Sequence, residues 1–195
     1  MRSIIDRHKE IIISRGPDGE YEVEFFDQFL KIASEMHDIG ILEEDGYCLC
    51  HQDIAPRNIL LQQKPQADVI TGILDWDSSL FAPLFMSCAP PMWLWAIDEL
   101  DEDDEERFAG DIPSSPEYRQ IKELFDEAAG PVFLRYAYHP QYRIARSLFR
   151  FIVEGLTSND DFERAERLPR EWDEVRDSLT LAKQGKDTKS SDGQL

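Results

Sequence analysis

A chain of 195 residues and 22.6 kDa has room for one domain of ordinary size or a large piece of a bigger protein. With 42% hydrophobic, 11% aromatic and 31% charged residues, the composition supports a packed core and excludes a disordered or fibrous chain. Twenty-one Lys and Arg against 40 Asp and Glu give a formal charge of −19, the wrong sign for a surface that neutralises nucleic-acid phosphates or anionic lipids.

The N-terminal stretch is broken by Asp6, Arg7, Lys9 and Glu10, so it has no apolar run of the kind a secretion signal needs. Gly16-Pro17-Asp18-Gly19 reads as a turn. Residues 22–39 read as an amphipathic helix, because Phe25, Phe26, Phe29, Ile32, Ala33 and Met36 recur at three- and four-residue steps before the stop signal Gly40. Short apolar runs at 47–50, 58–62 and 69–74 read as strands around a Pro-containing loop.

Cys48, Cys50 and Cys88 are an odd number without secreted-domain spacing, which fits core thiols in a reducing, cytoplasmic compartment. Cys48-x-Cys50 is at most half of a zinc site, and no second pair follows at ligand spacing. Leu80 to Ile97 has no charge over 18 residues, yet Pro83, Pro90 and Pro91 would strand carbonyls in lipid. A buried loop leading into a short helix is expected there in place of a membrane span. Between Asp98 and Glu106 eight of nine residues are acidic, which reads as a solvated loop, and the EF-hand glycine is absent.

From Glu117 the helical period returns, with Tyr118, Ile121, Leu124, Phe125 and Ala128 on one face and Gly130-Pro131 closing it. Further helices are expected at about 132–138, 141–156, 160–167 and 170–183, with Ser158 or Asn159 capping the third of these and Pro169 suited to the first turn of the last. The tail 183–195 is polar and expected to be disordered. The fold class is therefore α+β, mostly α, as one domain over 1–182 with its motif core at 47–77.

The chemistry lies in His51-Gln52-Asp53-Ile54-Ala55-Pro56-Arg57-Asn58, followed by Ile73-Leu74-Asp75-Trp76-Asp77. Each acidic cluster follows a short apolar strand, the layout of a phosphoryl-transfer site in which one Asp addresses the acceptor hydroxyl while an Asn and a second Asp hold magnesium against nucleotide phosphates. Hard oxygen donors suit Mg²⁺, and Asn58 offers a neutral oxygen where Asp75 offers a charged one. The five-residue step from Asp53 to Asn58 lets one loop aim its two ends differently. Asp77 reads equally as a metal contact or a solvated charge, Arg57 as a partner for a neighbouring carboxylate, and Trp76 as packing.

These motifs resemble the aminoglycoside phosphotransferase and choline kinase-like family, whose kinase-like fold carries H-x-D-x-x-x-x-N and then an apolar-apolar-D-W/F-D/E element. The resemblance runs from about Val23 to Leu156. It implies that Asp53 is the catalytic base or hydroxyl-orienting group, that Asn58 and Asp75 bind Mg²⁺ and with it ATP as co-substrate, and that His51 is a structural member of the catalytic loop. His37 also resembles a recurrent family position, and Gln52 stands where Gly is common. The loop is similar to that of tyrosine kinases too, but Asp75 is followed by Trp-Asp in place of Phe-Gly and no A-P-E element follows. A small-molecule hydroxyl acceptor is therefore expected over a protein acceptor.

Fifty residues precede His51, too few for a kinase-type small lobe with its Gly-rich loop and strand lysine. The expectation is thus a large lobe alone, either a phosphotransferase weakly active by itself or a non-catalytic remnant acting as a binding module. Self-association or a partner chain would then cover the face of the missing lobe, with the Leu80 to Ile97 segment as its apolar surface.

Overall fold

In the computed structural model the described residues are 2–14, 20–42, 46–96 and 108–191. The turn expected at 16–19 and the acidic run 98–106 lie outside them. Two units divide the chain, Met1–Ile41 with Pro140–Leu195, and Leu42–His139.

The first unit holds the helices α1 (Arg2–Ser14), α2 (Glu20–Asp38), α4 (Pro140–Glu154) and α5 (Asn159–Ser191). The apolar stripe of α2 forms as its spacing predicts, with Phe25, Phe26, Phe29 and Met36 buried. Phe29 stacks on Phe151 of α4 at 5.5 Å and meets Phe26 edge-on at 5.6 Å. Gly40 ends α2 in a Schellman motif: its φ is +81°, its N–H donates to the His37 carbonyl (2.9 Å), and Ile41 N–H donates to the Met36 carbonyl (2.9 Å). A capping box opens α5, in which Ser158 Oγ accepts the Asp161 N–H and Asp161 Oδ2 accepts the Ser158 N–H, both at 3.1 Å.

Three features of this unit depart from the sequence reading. Helix α1 is unannounced, because only Ile5 and Ile12 of its apolar residues are fully covered and charges fill the steps between them. The helices expected at 160–167 and 170–183 are one: Pro169 removes a single hydrogen bond, to the Ala165 carbonyl, while burial of Ala165, Leu168 and Trp172 carries the helix through it. The helix also runs to Ser191, into the tail expected to be disordered, since extending a formed helix adds a backbone hydrogen bond per residue without requiring an apolar face.

The second unit is built on two antiparallel ribbons and helix α3 (Pro116–Tyr138). Strand β1 (Tyr47–Cys50) pairs with β4 (Leu80–Pro83), placing Leu49 opposite Phe81, and β2 (Ile59–Gln62) pairs with β3 (Val69–Ile73), placing Ile59 opposite Ile73. Period-two alternation sends Cys48 and Cys50 inward and Tyr47 and Leu49 outward. Within α3, Gly130 takes φ +75° and ψ 169°, so the break expected at Gly130-Pro131 is present inside the element.

The charge-free run from Leu80 folds as β4 and two short 3₁₀ helices, Leu84–Ser87 and Met92–Leu94, where a short helix was expected. Prolines 83, 90 and 91 keep it from winding further. Phe85, Met86, Cys88, Met92, Trp95 and Ala96 are buried, so this run is not the apolar surface expected of it; Phe81, 73% exposed, is the exception. Among the described residues no helix is long and apolar enough to cross a membrane.

Candidate active site

Pro56 shapes the loop that follows β1. It forces Ala55 into extended backbone (φ −135°, ψ 160°) and then opens the 3₁₀ turn Pro56–Asn58, closed by the Asn58 N–H on the Ala55 carbonyl at 2.9 Å. The turn folds the Asn58 side chain back onto Asp53, where Nδ2 donates to the Asp53 backbone carbonyl and to Oδ2, both at 2.9 Å. Both acceptors demand an N–H, so the amide orientation is fixed and Asn58 Oδ1 is left as a free acceptor oxygen. Asn58 is 6% exposed, one of few buried polar residues.

Arg57, in the same turn, places Nη2 at 2.6 Å from both Oδ1 and Oδ2 of Asp53. His51 spends both ring nitrogens. Nδ1 accepts the Asp53 N–H at 3.2 Å, so Nε2 carries the proton and donates to the Leu74 carbonyl at 2.7 Å. This neutral tautomer ties the loop to the end of β3 and leaves no nitrogen for proton transfer. The Trp76 ring meets His51 edge-on at 4.7 Å while its Nε1 donates to the Ile73 carbonyl.

The β2–β3 ribbon brings the second motif alongside the first. Leu74 N–H donates to the Asn58 carbonyl at 2.8 Å, extending the ladder one step beyond Ile59 and Ile73, so Asp75 follows a residue bonded directly to Asn58. Asp75 has φ +62°, the one left-handed non-glycine among the described residues. Asp tolerates this region better than most residues, but the conformation still costs energy that the surrounding ladder must offset. Its carboxylate is exposed and makes no hydrogen bond among the described residues. Asp77 lies exposed in the next turn and bonds to none of Asp53, Asn58 or Asp75.

His51, Asp53 and Asn58 are thus joined by hydrogen bonds, Asp75 is joined to them through the ribbon backbone, and Asp77 stands apart. The sequence reading passed over Trp93, whose Nε1 donates to the Ile54 carbonyl at 3.0 Å and so anchors the loop beside Asp53. No local pattern signals a contact across that many residues. A cavity of about 360 Å³ bounded by Met92, Trp95, Ala96 and Phe108 shares no residue with this cluster.

Among the described residues no group of three or more His, Cys, Asp and Glu is placed to hold a metal. Mg²⁺ keeps several waters and takes one or two protein oxygens beside substrate phosphates. Asn58 Oδ1 and the Asp75 carboxylate are hard donors of that kind. Burial, then the Cys48 thiol 3.6 Å away, pushes the thiol of Cys50, next to His51, up to about 12.

A family model described as the phosphotransferase enzyme family matches residues 18–124, a span holding all five of these positions. No curated protein and no solved structure matches the chain.

Proposed function

Because the chain belongs to the phosphotransferase enzyme family, we propose that it transfers the γ-phosphoryl group of ATP to a hydroxyl of a small molecule, using the second unit as part of a kinase-like large lobe. The observation that carries this reading is the Asp53 carboxylate, held by Asn58 and Arg57 in a loop whose Asn58 carbonyl accepts the N–H of Leu74, the residue before Asp75. Asp53 accepts the hydrogen of the acceptor hydroxyl and aims that oxygen at the phosphorus. Asn58 and Asp75 would hold Mg²⁺, which when bound neutralises charge on the nucleotide phosphates. His51 sets the separation of the two motifs by bridging Asp53 and Leu74. Three free cysteines suit a reducing, cytoplasmic setting.

The test is phosphate transfer from Mg·ATP to a panel of small alcohols, amino alcohols included, followed by ³¹P NMR. Asp53→Asn is expected to lower kcat by about 10²- to 10⁴-fold with Mg·ATP affinity retained. Asp75→Asn is expected to weaken Mg·ATP binding as well. Equal binding losses in the two variants, or full turnover by Asp53→Asn, would overturn these roles.

A further inference from the structure

Asp53 has more partners than an acceptor-facing carboxylate needs. An ionised carboxylate offers about four lone-pair directions. Arg57 Nη2 takes one on each oxygen and Asn58 Nδ2 takes a second on Oδ2, leaving a single direction on Oδ1. The Asp53 side chain is 40% exposed and that of Arg57 68%, so the ion pair adds little to folding stability. Asn58 alone holds only Oδ2 and would leave the carboxylate free to rotate about that contact.

We propose that Arg57 is a positioning residue for phosphoryl transfer, acting through Asp53: it locks the carboxylate plane so that only one Oδ1 lone pair meets the acceptor hydroxyl. The inference rests on the phosphotransferase reading and adds to it the group that orients the base. Arg57 Nη2 is committed to both Asp53 oxygens, so through this nitrogen the guanidinium acts on the base. An angular error at the base is costly, since misplacing a reacting group by about 1 Å is enough for a loss of about 10²-fold.

Two measurements on the full chain test this. In kinetics, Arg57→Gln is expected to lower kcat by about 10- to 100-fold with KM for Mg·ATP and melting temperature unchanged. Arg57→Lys should regain most of the rate, because one ammonium can reproduce the contact of one nitrogen with two oxygens. In the Asp53→Asn background Arg57→Gln should cost little more, as expected of residues acting as a unit. Losses that multiply in the double variant, or wild-type kcat in Arg57→Gln, would overturn the proposal. In ¹⁵N NMR, slowly rotating Arg57 Nη signals are expected in the wild type and should collapse in Asp53→Asn; signals indifferent to that substitution would also overturn it. A wild-type chain without turnover breaks the phosphotransferase reading, while the NMR arm still decides the Arg57–Asp53 lock.

Discussion

In the unit of α1, α2, α4 and α5, Phe29 is closed in by Phe26 and Phe151, and Trp172, Ile144 and Leu148 are equally covered. In the unit that carries Asp53, the ribbons turn Tyr47, Leu49, Leu61, Ile70 and Phe81 to solvent, and the loop is held by side-chain and backbone hydrogen bonds. Apolar packing is non-directional and supplies stability. Hydrogen bonds are directional and supply placement at little net gain in stability. Substitutions in the aromatic core of the first unit should therefore move the melting temperature, and those in the Asp53 loop of the second should move activity.

The largest expected effect breaks the first side of this contrast. Phe29→Ala should cost about 3–5 kcal/mol, from lost transfer energy and the cavity left beside Phe151. Phe81→Ala, at the exposed face of β4, should stay within about 0.5 kcal/mol. Chemical denaturation of both variants checks the pair; comparable losses would mean that the β1–β4 face is covered in solution.

Next in size is a polar contact inside the helical unit. Trp172 Nε1 donates to Glu35 Oε2 at 2.7 Å, with Arg176 Nη1 at 3.1 Å. The Trp172 hydrogen bond first, and Arg176 after it, hold the Glu35 carboxyl below its ordinary value against the opposing effect of burial. A carboxyl lowered on folding stabilises the protein above its unfolded value of about 4.3, and that contribution is lost as pH falls through the folded one. Glu35→Leu leaves the indole N–H unpaired and should cost about 1–3 kcal/mol at pH 7. The acid side of the stability profile should flatten in the variant; an unchanged acid limb would remove Glu35 from the account.

The smallest effect sharpens the second side. Asp75→Gly relieves a left-handed residue and should raise stability by about 0.5–1 kcal/mol while weakening Mg·ATP binding. A fall in melting temperature would show that the Asp75 side chain itself supports the ribbon.

What the sequence made legible follows the same division. The stripe of α2, its end at Gly40, the break at Gly130 and the Ser158 cap are local, each set by residues within a few positions, and all are present. Helix α1 and the continuity of α5 through Pro169 escaped because packing against distant segments overrode what the local residues favour. At the site, Asp53 and Asn58 were readable as one loop. The links from His51 to Leu74 and from Trp93 to Ile54 depend on strand pairing and a long return of the chain, which periodicity does not encode.

Of the four tryptophans, Trp95 and Trp172 are 1% exposed, whereas Trp76 is 42% exposed against His51 and Trp93 is hydrogen-bonded behind Asp53. The two enclosed indoles and the two that border the catalytic loop therefore divide the intrinsic fluorescence of the chain by depth. A small neutral quencher such as acrylamide extinguishes the loop's share first, so the loop carries its own optical label and ligand arrival there can be followed without a dye.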